Sequence, residues 1–90
     1  MSDYRLLLAG RRVQKDLDHL DRPVLERIWK AVQALKQNPR PPSARKLRHP
    51  AIGEYRLRVG DWRVFYDIDE ENRAIVILRV MHRREAYRSR

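Results

Sequence analysis

The sequence has no cysteine. That excludes a disulfide framework, thiolate catalysis and any metal site built on cysteine. Glycine is scarce as well, with 3 residues in the chain, and none falls in a spacing that could cradle a phosphate. Long apolar runs are missing. Leu6-Leu7-Leu8-Ala9 is too short for the core of a signal peptide and nothing approaches a membrane span, so a cytoplasmic location is expected. No Ser/His/Asp grouping has a recognisable catalytic spacing, and His19, His49 and His82 are too scattered to suggest a metal site. Neither a metal nor a cofactor is expected. Acidic residues are the last shortage: 12 stand against 21 lysines and arginines, for a formal charge of +9.

What the chain does have is arginine. Its guanidinium grips phosphate in a planar, bidentate way that lysine cannot match. A nucleic acid is therefore the first partner to consider, with an anionic membrane or an acidic protein second. The charge is concentrated: residues 39–63 carry seven basic and two acidic side chains. The apolar share, 42%, is ordinary and its positions are periodic, so a folded protein is expected, with residues 1–90 as a single domain.

Residues 54–69, EYRLRVGDWRVFYDID, alternate on either side of Gly60-Asp61 and predict a β-hairpin. With those two residues as the turn, Val59 pairs with Trp62, Arg58 with Arg63, Leu57 with Val64 and Arg56 with Phe65. One face then carries Tyr55, Leu57, Val59, Trp62, Val64, Tyr66 and Ile68 and belongs to the core. The other carries Arg56, Arg58, Arg63 and Phe65. Like charges directly opposed in a sheet cost roughly 0.2–1 kcal/mol, an expense that a polyanion on this face would offset. Splayed arginines covering apolar surface with their stems are the ordinary alternative.

Around the hairpin, residues 4–9 suggest a short strand. Val13, Leu17 and Leu20 recur at helical spacing, and Leu25, Ile28, Trp29, Val32 and Leu35 form the apolar stripe of a second, stronger helix. Asp21 is placed to cap that helix and Pro23 fits its first turn. Residues 39–50 hold four prolines and the basic cluster Arg40, Arg45, Lys46, Arg48 and His49, and read as a loop. After an acidic turn at residues 69–72, residues 74–81 form a nearly continuous apolar run suited to a buried strand. A short C-terminal tail follows. The prediction is an α+β fold in the order β-α-α-β-β-β, with a helical hairpin packed on a small antiparallel sheet.

The candidate site gathers Arg56, Arg58, Arg63, His82, Arg83 and Tyr87, with Arg45, Lys46 and Arg48 extending an RNA-binding surface. Such a set suits phosphoryl transfer on RNA, where the 2′-hydroxyl is the nucleophile and fixed donors stabilise the phosphorane. Tyr87 or Phe65 could stack on a base. Each also has a plainer reading: Tyr87 as a tack on the chain end, His82 as a strand cap, and Arg83-Arg84 as a dibasic pair such as solvated tails carry.

The run YRLRVGDWRVFYDID (residues 55–69) and the terminal HRREAY (residues 82–87) resemble the RelE/ParE superfamily of bacterial and archaeal toxins, more closely its RelE branch, and the likeness covers nearly the whole chain. The resemblance implies a ribosome-dependent, metal-independent endoribonuclease that cleaves messenger RNA and inhibits translation. It also implies a cognate RelB-like antitoxin, acidic and partly disordered. By position, Arg56 and Arg58 match the two basic residues of the first hairpin strand, and Arg63 the arginine that grips the scissile phosphate. Arg83 matches the arginine assigned to the leaving group, and Tyr87 the substrate-orienting tyrosine. The family pattern has lysine, discussed as general base, where this chain has Arg58. A guanidinium stays protonated, so either Arg58 acts only electrostatically or His82 is the base, with the second reading favoured and the first left open. The alternatives are a ParE-like poison of DNA gyrase and an inactive, antitoxin-binding relative.

Overall fold

The computed structural model describes residues 3–48 and 52–88, with the side chains of Tyr87 and Arg88 excepted. Strand β1 (Arg5–Leu8) leads into helices α1 (Arg11–Asp18) and α2 (Arg22–Ala34). Strands β2 (Ala44–Lys46), β3 (Tyr55–Val59), β4 (Trp62–Asp69) and β5 (Ala74–His82) follow, and helix α3 (Arg83–Arg88) closes the described chain. The five strands form one sheet in the order β1-β5-β4-β3-β2. The expected α+β architecture and the helical hairpin on a sheet are both present.

The central hairpin has the predicted register, from Val59↔Trp62 to Arg56↔Phe65. Gly60 takes a positive φ of 60° and Asp61 does not, the sign pattern of a II′ turn, whose first central position favours glycine. Packed on the predicted core face, Val13, Ile28, Val32 and Leu35 of the helices meet Tyr55, Leu57, Val64, Tyr66, Ile75, Ile77 and Val80 of the sheet. Asp21 occupies the N-cap position of α2 in an extended conformation but makes no side-chain capping bond.

Four features depart from the expectation. The sheet is mixed, because β1 runs parallel to β5, with Leu6 beside Ile75 and Leu8 beside Ile77. Residues read as loop contain β2, whose partners are Ala44↔Leu57, Arg45↔Arg56 and Lys46↔Tyr55. The prolines fall outside these three residues, and Arg45 and Lys46 give the edge strand the charge that discourages further pairing. The tail is helix α3: Ala86 is buried against Phe65 and Met81 in a second, smaller core on the sheet face away from α1 and α2. Trp29, placed in the apolar stripe of α2, is instead 43% exposed. It directly follows Ile28, and neighbours in sequence lie about 100° apart around a helix, so both cannot face the same core.

Candidate functional site

Strand parity builds the site. The pairs Arg45↔Arg56 and Arg58↔Arg63 put four arginine side chains on the sheet face opposite the helical hairpin. Together with Pro42 and Ser43 they line one cavity of about 460 Å³. The second core and α3 flank this face, and the link from α2 to β2 supplies Pro42 and Ser43. That link is held down from several sides: Tyr66 donates its hydroxyl to Pro39 O at 2.7 Å, and Arg40 Nε donates to the Tyr55 hydroxyl at 3.0 Å. Ser43 O accepts the Arg58 backbone N–H at 3.1 Å.

Arg63 is the exception among the four, because it is only 6% exposed. Its Nη1 donates to Gly60 O and Trp62 O, both at 2.9 Å, which folds the guanidinium against the hairpin turn. Two carbonyl dipoles orient the cation without neutralising it. Arg45, Arg56 and Arg58 have neither a side-chain hydrogen bond nor an ion pair among the described residues. The cavity is thus a concave surface of one sign with no counter-charge among the described residues, which focuses its field on an incoming anion.

Not every expected residue joins this group. Arg83 does not line the cavity; its backbone N–H donates to Asp61 O at 2.8 Å, and its Nη1 lies 3.8 Å from Asp61 Oδ1. It stands at the hairpin turn, within the same end of the molecule as Arg63. His82 pairs with Trp62, the core-side residue, whereas Met81 pairs with Arg63. Its ring meets the Trp62 indole edge-on at 5.3 Å, and its Nδ1 accepts the Arg84 N–H at 3.3 Å. The imidazole therefore caps α3 on the opposite face of the sheet from the arginines. Lys46, in register with Tyr55, also falls on that opposite face, and Arg48 is exposed outside the cavity. Phe65 is 5% exposed within the second core, so it offers no stacking surface. Tyr87 belongs to α3, but its side chain lies outside the described residues, as does His49.

The sequence model for the ParE toxin of the type II toxin-antitoxin system, parDE, matches residues 9–87. The chain belongs to the RelE/ParE superfamily of toxins. Putative toxin RelE1 of Methanocaldococcus jannaschii is 31% identical over 81 residues, covering 88% of this chain and 90% of the relative. Toxin RelG of Mycobacterium tuberculosis is 45% identical over 42 residues, a match that spans 47% of this chain and 48% of RelG. Among solved structures, the toxin-antitoxin complex RelBE2 from Mycobacterium tuberculosis superposes with a TM-score of 0.78 at 29% identity, over 90% of this chain and 99% of its counterpart.

This superfamily member has a second unpartnered surface, missed in the sequence. Leu8, Leu17, Leu20, Leu25 and Trp29 line a groove of about 760 Å³ on the helical side. The signal was present: Leu25 and Trp29 are four apart on α2 and form a stripe beside the one through Ile28, Val32 and Leu35. The acidic turn also has a role that composition did not reveal. Glu70 accepts from the Tyr4 hydroxyl at 2.7 Å and Arg40 Nη2 at 3.0 Å, and so helps fix the link that walls the cavity.

Proposed function

We propose that this toxin is an endoribonuclease that cleaves messenger RNA on the ribosome, without a metal ion, through attack of a 2′-hydroxyl on the adjacent phosphorus. The observation that carries the reading is the cavity of Arg45, Arg56, Arg58 and Arg63, which has no acidic partner among the described residues. In the reaction the 2′-oxygen–phosphorus bond forms and the bond to the 5′-oxygen breaks, leaving a 2′,3′-cyclic phosphate and a 5′-hydroxyl. Negative charge gathers on the phosphorane oxygens, and preoriented guanidiniums stabilise it at no cost in reorganisation. Arg63, fixed by two carbonyls, suits the scissile phosphate. Arg83, tethered at the turn through Asp61, is the group nearest in kind for the leaving oxygen.

The four cavity arginines stay protonated and cannot take the proton of the 2′-hydroxyl. His82, on the opposite face beside Trp62, is badly placed to do so. Proton removal then falls to substrate, ribosome or solvent. A pocket that supplies charge stabilisation but no base would need the ribosome to complete the site. The partner that restrains the toxin is a RelB-like antitoxin, whose acidic segment would neutralise the arginine cavity. The likeness to a toxin solved in a toxin-antitoxin complex supports this.

Single-turnover cleavage of messenger RNA on programmed ribosomes tests the proposal. Arg63→Ala should slow cleavage by ~10²–10³-fold with a smaller effect on binding, and the products should carry a cyclic phosphate. His82→Gln should leave the single-turnover cleavage rate nearly unchanged, whereas loss of a general base would slow it by ~10²–10⁴-fold. The match to the ParE toxin favours one second reading, a gyrase poison. Gyrase-dependent DNA breaks with no RNA cleavage would establish that reading and overturn the first.

A further inference from the structure

We propose that the cavity holds two successive phosphates of one RNA strand, one on each cross-strand arginine row, so that its substrate must carry at least two phosphodiester linkages. This rests on the endoribonuclease reading and specifies how that site engages its substrate.

The rows are Arg45↔Arg56 and Arg58↔Arg63. Within a row, directly opposed residues have Cβ atoms about 5 Å apart, close enough for both guanidiniums to converge on a single phosphate. Between rows the spacing is two residues along β3, about 6.6 Å at a strand rise of ~3.3 Å. That step is comparable to the separation of successive phosphates in an extended single strand. Both rows open into one cavity of about 460 Å³, a size in the range of pockets that take whole small molecules (roughly 300–1,000 Å³) rather than one tetrahedral ion.

Charge leads to the same place. One phosphodiester carries a single negative charge and cannot saturate four guanidiniums, each with five N–H donors. Four cations gathered on it would keep most of their mutual repulsion. Two phosphodiesters give each row one anion and each guanidinium a bidentate partner. The rows also differ in rigidity. Arg63 is buried and bonded to Gly60 O and Trp62 O, whereas Arg45 stands exposed on the edge strand. The fixed row suits the phosphate that reacts, and the looser row the neighbour that sets the register. Pro42 and Ser43, which line the same cavity, provide surface for the sugar between the two.

The test is binding, read by NMR titration of the intact chain at low salt. The ligands are a dinucleoside monophosphate and a trinucleoside diphosphate, both 2′-deoxy at the reactive sugar. In the native chain the second linkage should strengthen binding by about tenfold, as a second charge-assisted contact on one tethered ligand does. Arg58→Gln, and separately Arg45→Gln with Arg56→Gln, should each reduce that gain to about twofold, the statistical factor for two phosphates competing for one row. Thermal melts confirm that each variant is folded, and Arg58 is chosen over the buried Arg63 for that reason. A gain of only twofold in the native chain, or a gain that survives in both variants, would overturn the clamp. Ribosomal cleavage is read separately. Cleavage without the second-linkage gain removes the clamp alone, and the gain without cleavage removes the nuclease reading while leaving a nucleic-acid clamp.

Discussion

Glu70 shows how a single side chain outside the cavity can govern its wall. The Tyr4 hydroxyl, and after it Arg40, hold the Glu70 carboxyl below the usual carboxylate range. Its folded pKa is therefore lower than its unfolded one. The stability it contributes is fully present above the unfolded value of ~4.3 and is lost as pH falls through the folded value. Glu70→Gln should lower the urea midpoint at pH 7 and flatten the decline of that midpoint below pH ~4.3. Part of the decline will persist, because Asp69, which accepts from the Asn72 side chain and backbone, is also held low. An acid limb unchanged by Glu70→Gln would show that the contacts from Tyr4 and Arg40 carry no stability. The carboxyl is about half exposed, so the effect should be modest.

At the scale of elements, the most consequential joint lies between α1 and β5. Strand β1 pairs with β5 only through Ile77, and beyond it Asp16 of α1 takes over the open edge. Its Oδ2 accepts from Arg79 Nε at 2.7 Å and from the Val80 N–H at 2.9 Å, and its Oδ1 accepts from Arg79 Nη2 at 3.1 Å. Asp16→Ala would strip a carboxylate from a largely buried guanidinium and leave a strand N–H unsatisfied. It should destabilise the protein by about 2–3 kcal/mol in urea titrations. Adding Arg79→Met should cost less than the sum of the two changes, because the pair is lost only once. Strict additivity would mean that the pair contributes no coupling energy.

The same elements explain what was legible in the sequence. The hairpin register could be read because Gly60-Asp61 fixes a turn between two alternating strands, and parity then set Arg56, Arg58 and Arg63 on one face. Strand β2 could not, because prolines dominate its surroundings and its partner lies about ten residues away. Arg45 joined the site only with that strand. Helix α3 has six residues, too few for a helical period to register. His82 was misplaced through β5: pairing runs Phe65↔Arg79 and then Tyr66↔Ile77, so Leu78 is an extra residue that breaks the strand's alternation. A bulge of this kind is set by tertiary packing, and no local pattern announces it.

For the whole molecule the question is whether a charge of +9 acts as a cloud or through one place. Arginines and lysines on the helices, such as Arg11, Arg12, Arg22 and Lys30, are exposed to solvent and lie outside the cavity. At physiological salt the Debye length is about 8 Å, so exposed charges farther than that from an RNA contribute little. On the proposed reading the cavity arginines meet the RNA at contact distance, Arg63 from a largely desolvated position. Binding of a short single-stranded RNA should weaken with a log–log salt slope of about −0.7 for each phosphate neutralised. Replacing Arg45, Arg56 and Arg58 with glutamine should therefore reduce the steepness of that slope by about 0.7–1.4, the share of the phosphate on the emptied row and of whatever Arg63 alone no longer holds. Replacing Arg11, Arg12, Arg22 and Lys30 with glutamine changes the net charge by one more unit and should leave the slope nearly unaltered. Equal reductions from the two sets would mean that the RNA senses only total charge, and the arginine rows would then have no special claim on it.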